Sequence, residues 1–185
     1  MENKVFVRKL KKLEACTDAV EWVTEHGGAA SDCWRDCQRG DWMAWLAAKT
    51  KSITRRQLVG ALADCAALSL KYFEAEFPSD RRVRDCLEVC WSYSRGSATD
   101  KELASAAYAA AYAASAAASA AYAAAAASAA AYAAASAASA ATDAAYAAAY
   151  AADAYAAYAA ARDETLSQCA EIFRKAFPEL FKEPE

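Results

Sequence analysis

Between Ser97 and Phe177 the chain has no glycine and no proline, and from Leu103 to Ala161 it is written almost wholly in alanine, tyrosine and serine. Alanine has the highest intrinsic helix propensity, because it loses no side-chain entropy and carries no polar group that competes with the backbone. A disordered tract would be rich in charge, proline or glycine. This one holds only two charged residues, Asp143 and Asp153. The tract is therefore expected to be helix.

Its larger residues fall on a line. Ser105, Tyr108, Tyr112, Ser115, Ser119 and Tyr122 are spaced 3, 4, 3, 4, 3. After a phase slip, Tyr132, Ser136, Ser139, Asp143, Tyr146, Tyr150 and Asp153 are spaced 4, 3, 4, 3, 4, 3. A heptad stripe of this kind arises when one line along a helix keeps one environment. It reads first as a seam that buries tyrosine rings, each hiding far more area than an alanine. The second reading is an outward row of phenols offered to a partner, beginning at Tyr108 and Tyr112.

One helix from residue 100 to 177 would be on the order of 115 Å long at about 1.5 Å per residue, far beyond the size of an ordinary domain. Leu166, Cys169, Phe173 and Phe177 form an apolar face whose natural partner is the tryptophan-rich first hundred residues. For the chain to return there, the alanine helix must reverse. Equal arms put the reversal near residues 127–143, where Thr142-Asp143 can cap a second helix. The expected fold is all-α: an N-terminal helical bundle (1–98), a long alanine-rich helical hairpin (99–162), and a C-terminal arm (163–185) packed back on the bundle. The competing arrangement is one continuous helix paired between two chains, which would make the protein an oligomer.

Within residues 1–98 every periodic segment also reads helical, with no period-two run. A helix from Val5 to about Glu25 places Phe6, Leu10, Leu13, Val20 and Val23 on one face and stops at Gly27-Gly28. Ser31 is placed to cap a short helix that Gly40 ends, and Asp41 to cap the next. Thr54 opens a helix that runs to just before Pro78. Another starts at Asp80 and stops at Gly96. "TDKE", Thr99 to Glu102, is a capping box that starts a helix at about Asp100.

Charge and cysteine usage exclude several classes. A net charge of -3 gives no field that favours nucleic acid or an anionic membrane. Serines, tyrosines and aspartates interrupt the tract too often for a membrane span. The start, "MENKVFVRKLKKLEAC", has no apolar core of secretion-signal length, so a cytoplasmic location is expected. Seven cysteines, an odd number, then read as reduced thiols. Cys33/Cys37 and Cys86/Cys90 sit four apart on helical faces, wider than structural zinc spacing, and no metal is expected. His26 is the one histidine; it precedes Gly27-Gly28 and suits a helix C-terminus. No nucleophile motif, phosphate loop or metal carboxylate pair accompanies it, so neither catalysis nor a cofactor is expected.

The binding candidates are three. In "CQRGDWMAWL" (Cys37–Leu46), Arg39, Asp41 and Trp42 combine charge with aromatic area, the composition of a protein-binding hot spot. Arg81, Arg82 and Arg84 form a dense arginine cluster suited to an anionic ligand such as a nucleotide. Tyr108 and Tyr112 open the tyrosine stripe.

The order "LEACTDAVEWV", "CQRGDWMAWL", "LVGALADCAALSL", "DRRVRDCLEVCWSYSRGSAT", an alanine–tyrosine tract and "ETLSQCAEIFRKAFP" resembles the immunity-five-like family of immunity proteins found in phage and bacterial genomes. Arg39–Met43 and Cys169–Ile172 carry the resemblance most specifically, and Ala44 departs from the leucine often found there. The resemblance implies a small non-enzymatic cytoplasmic protein that binds and neutralises a toxin protein. The alternative is a phage counter-defence protein that inhibits a host defence factor or sequesters its nucleotide signal. Ice binding by an alanine-rich helix is a third reading. It calls for regularly spaced threonines, and Thr142 alone lies in the tract.

Overall fold

The structure, a computed structural model, describes residues 1–119 and 159–181. Among these residues it is all-helical: α1 (Asn3–Lys12), α2 (Thr17–His26), α3 (Ala30–Asp36), α4 (Gly40–Ala48), α5 (Arg55–Ala67), α6 (Leu70–Glu76), α7 (Arg82–Ser94), α8 (Asp100–Ser119) and α9 (Ala159–Ala176). The expected hairpin turn, Thr142-Asp143 and the second half of the tyrosine stripe lie outside the described residues.

α5 occupies the middle. It packs against α7 on one side and α9 on another, and α4 and α6 also touch it. Leu58, Val59, Leu62, Cys65 and Ala66 are accordingly buried around much of its circumference, as expected for a helix enclosed by neighbours. Thr54 and Gln57 start it reciprocally. The Gln57 amide donates to Thr54 Oγ1 at 3.3 Å, and the Thr54 amide donates to Gln57 Oε1 at 2.9 Å.

The C-terminal arm returns to the bundle. Leu166, Cys169, Phe173 and Phe177 are all buried, and α9 lies on α4 and α5. Arg174 donates to the Cys37 carbonyl at 2.6 Å, and Ser167 donates to Gln38 at 2.6 Å. Beyond α9, the Phe181 ring stacks against Phe6 (5.4 Å) and Trp34 (5.7 Å), tying the end of the described chain to α1 and α3.

α8 starts where the capping box places it, with the Thr99 amide donating to Glu102 Oε2 at 2.7 Å and the Glu102 amide donating to Thr99 Oγ1 at 3.3 Å. Asp100 then accepts from Arg55 (2.5 Å) and from the Tyr93 hydroxyl (2.8 Å), so α5 and α7 both hold the first turn.

Several local expectations are corrected. The helix expected from Val5 to Glu25 is two helices. Glu14 adopts a left-handed backbone, φ 62°. The Glu14 amide reaches the Lys11 carbonyl at 3.1 Å and the Ala15 amide reaches the Leu10 carbonyl at 3.0 Å. That pair of bonds is a Schellman termination, normally built on glycine. The run expected from Thr54 to Pro78 breaks at Ser69, whose buried hydroxyl donates to the Ala66 carbonyl at 2.8 Å. Ser31 is not a cap; Asp32 accepts the Ala29 amide at 3.1 Å instead. Gly40 does not end α3 but is the first residue of α4. A Cβ at position 40 would fall 2.7 Å from the Leu166 carbonyl oxygen and 2.9 Å from the Ala170 amide nitrogen. Glycine stands there because α9 lies against the α4 backbone.

Candidate binding surfaces and the aromatic cavity

α8 turns its alanines inward. Leu103, Ala110 and Ala113 are buried, and Ala106 and Ala107 pack partly against the core. Tyr108 and Tyr112 are 72% and 66% exposed, their rings 6.5 Å apart at 36°. The seam expected to bury tyrosine is thus inverted over the described part of α8. Alanine on the inner side lets α8 approach α7 closely, and a phenol ring would hold the two helices apart. The rings are left for solvent or a partner.

The arginine cluster is engaged by carboxylates. Arg84 holds Glu74 through two bonds of 2.6 Å. Arg82 holds Asp80 through Nε at 2.9 Å and a terminal nitrogen at 2.5 Å. Arg81 lies 3.3 Å from Asp85 and 3.9 Å from Glu88. The Arg82 guanidinium holds the Asp80 carboxyl below the usual carboxylate range.

The remaining sequence candidates converge. Arg39, Asp41 and Trp42 line a cavity of about 460 Å³ enclosed by the first four helices. Phe6, Leu10, Val23, Trp34, Met43 and Leu46 form its buried wall, while Glu14, Cys16 and Asp18 are exposed at its edge. Arg39 holds Asp41 in a fork, 2.9 and 2.6 Å, with its guanidinium carbon 4.3 Å from the Trp42 ring centre. Stacking and pairing together fix the Arg39 plane. Trp42 lies 6.2 Å from Trp22, which lies 5.1 Å from His26. Trp34 is among the lining residues, 7% exposed, and its buried indole N–H has no hydrogen-bond partner among the described residues.

A Cys–His–Asp row escapes sequence reasoning. Cys33 Sγ lies 3.6 Å from His26 Nδ1, and His26 Nε2 lies 3.1 Å from Asp36 Oδ2. The Gly28 amide also donates to Nδ1, at 3.3 Å, which assigns the ring proton to Nε2 in the neutral imidazole. Burial and the neighbouring Asp32 push the Cys33 thiol up, so it stays protonated, unlike an activated nucleophile. The row closes the α2–α3 corner, with Cys33 also donating to the Gly28 carbonyl at 3.6 Å. A Cβ at Gly28 would meet the imidazole at 2.8 Å. Among the described residues no three histidine, cysteine or acidic side chains gather as a metal site, and no helix is long and apolar enough to cross a membrane.

The sequence profile of one family, described as "Imm-5 like putative immunity protein", matches residues 48–175, more than half of the chain. The chain belongs to that family. The matched segment of this Imm-5 like protein runs from the end of α4 to the end of α9 and includes α5, α7, Tyr108 and Tyr112. It excludes Arg39–Met43, which the sequence resemblance had weighted heavily, and it excludes every residue that lines the aromatic cavity. No curated protein and no solved structure matches the chain.

Proposed function

We propose that this Imm-5 like protein neutralises a partner toxin by binding it, without catalysis of its own, and that the outward face of α8 makes the contact. The observation that carries the proposal is the exposed Tyr108–Tyr112 pair, inside the family-matched segment and on a helix whose other face is docked. Tyrosine presents a large, rigid, amphipathic ring with few rotatable bonds, so it loses little entropy on binding, and it is enriched in protein interfaces. Its hydroxyl keeps such a surface wettable in the free protein. The capping box and the Asp100 contacts fix the helix before a partner arrives, which lowers the ordering cost of association. The cytoplasm is the expected site of action, where seven cysteines, none of them in a disulfide, persist as thiols.

Co-expression with a candidate toxin tests the function. The protein should restore growth to toxin-producing cells and co-purify with intact toxin. Rescue without association, or toxin returned chemically altered, would contradict a binding mechanism. The nucleotide-sequestering alternative draws no support from Arg81, Arg82 and Arg84, each of which already holds a carboxylate.

A further inference from the structure

The outer faces of α1 and α2 carry opposite charge. On α1, Lys4, Arg8 and Lys11 recur at i, i+4 and i+7 with Lys12 beside them, and all four are exposed. On α2, Asp18, Glu21 and Glu25 recur at i, i+3 and i+7 and are exposed as well. The helices are antiparallel neighbours. The side chain of Asn3, at the start of α1, donates to the Val23 carbonyl near the end of α2, at 2.8 Å. Lys11, Glu21 and Glu25 line one shallow groove between the two helices, together with the half-buried Ala15 and Val20.

These charges are unpaired. Arg35, Arg39, Arg82, Arg84 and Arg174 each hold a carboxylate at 2.9 Å or less. Among the described residues, none of the four cations on α1 and none of the three acids on α2 is in an ion pair. A row of one sign beside a row of the other is a self-complementary surface, the property an isologous dimer requires. A two-fold axis running along the groove sets α1 of one copy over α2 of its partner, and α2 over α1. Each basic row then faces an acidic row, twice over. An axis across the groove would set α1 on α1 and like charge on like. A polyanion such as nucleic acid or an anionic membrane suits the surface poorly, because the acidic row adjoining the basic one repels it. Val5, 42% exposed on α1, adds apolar area beside the basic row.

We infer that the outer face of α1 and α2 is an interface between two copies of this chain, held by Lys4, Arg8 and Lys11 of each against Asp18, Glu21 and Glu25 of the other. This face lies outside the family-matched segment and leaves Tyr108 and Tyr112 free.

Sedimentation of the purified full-length chain tests this. At roughly 0.01 M salt, where charges act over about 30 Å, it should run at twice the monomer mass, and at roughly 1 M salt, where they act over about 3 Å, as a monomer. Lys4→Glu/Arg8→Glu/Lys11→Glu and Asp18→Lys/Glu21→Lys/Glu25→Lys should each weaken self-association by roughly 100-fold or more, since every exposed pair contributes a modest factor and occurs twice. Mixed in equal amounts, the two variants should form a heterodimer, because each now carries the complement of the other. All six positions are exposed, so both variants should keep the wild-type helical signal. Lys11→Glu alone should weaken the dimer by roughly tenfold. A monomer at low salt would overturn the inference. So would a dimer indifferent to salt, variants that self-associate like the wild type, or a mixture that stays monomeric. A dimer abolished by Tyr108→Ala/Tyr112→Ala would place the interface on α8 instead and overturn it too.

Discussion

The backbone of Gly40 lies against that of Ala170: a methyl group added at position 40 would sit 2.9 Å from the Ala170 amide nitrogen. The contact joins the first residue of α4 to α9, so one hydrogen side chain sets how closely the returning arm approaches the bundle. Replacing glycine by alanine inside a helix ordinarily stabilises by roughly 0.5–1 kcal/mol. Here forced separation of two helices opposes that gain, and overpacking costs about 1–3 kcal/mol. Gly40→Ala should therefore lower the urea midpoint, with a net loss of about 1–2 kcal/mol. A rise in the midpoint would show that α9 does not lie this close.

Glu14→Gly should act in the opposite direction. The left-handed backbone penalises a Cβ by about 1–2 kcal/mol, and the added chain entropy of glycine takes back part of that. A net gain of about 0.5–1 kcal/mol in denaturant stability is expected.

Thiol accessibility separates the cysteines. Cys16 is exposed and the other six are buried. Burial pushes Cys37 up to about 11, and it also raises Cys65, which contacts Cys169. Titration of the native protein with a thiol reagent at neutral pH should modify Cys16 quickly and the rest only on unfolding. Rapid modification of Cys65 or Cys169 would mean that α9 detaches from α5.

Acid should weaken the start of α8. The Glu102 carboxylate accepts the Thr99 amide and hydroxyl, which holds its pKa below the usual glutamate range. A carboxylate depressed in the folded state contributes stability above its unfolded pKa, about 4.3, and loses it as pH falls through the folded value. Thermal unfolding measured from pH 6 down to pH 3 should show a decline that Glu102→Gln makes shallower. Thr99→Ala, which removes the cap, should cost about 1 kcal/mol at pH 7.

Much of this architecture could be read from sequence, and the failures share a cause. Thr99 and Glu102 identified the start of α8 near Asp100, because a capping box satisfies backbone donors by local geometry alone. The apolar period of Leu166, Cys169, Phe173 and Phe177 identified the buried face of α9. Gly40 misled because one letter serves two purposes, ending a helix and admitting a neighbouring backbone, and only the position of α9 decides between them. Glu14 gave no signal, since nothing in a glutamate advertises a left-handed turn. The stripe of Tyr108 and Tyr112 showed that one line along the helix keeps one environment, without showing which. Burying alanine gains little per residue, so close backbone approach leaves no hydrophobic contrast to read. Arg39, Asp41 and Trp42 were recognisable as a group, but the cavity they line needs α1 and α2 folded over them, and Glu14 joins it only through the break between those helices.

The most direct test of the account is the affinity of the purified protein for its toxin, wild type against Tyr108→Ala/Tyr112→Ala. Both rings are largely exposed, so the double variant should keep its denaturant midpoint. Two tyrosines at an interface centre together contribute about 2–4 kcal/mol, and binding should weaken by roughly 30-fold or more. Unchanged affinity in a normally folded double variant would contradict the assignment of α8 as the toxin-binding face.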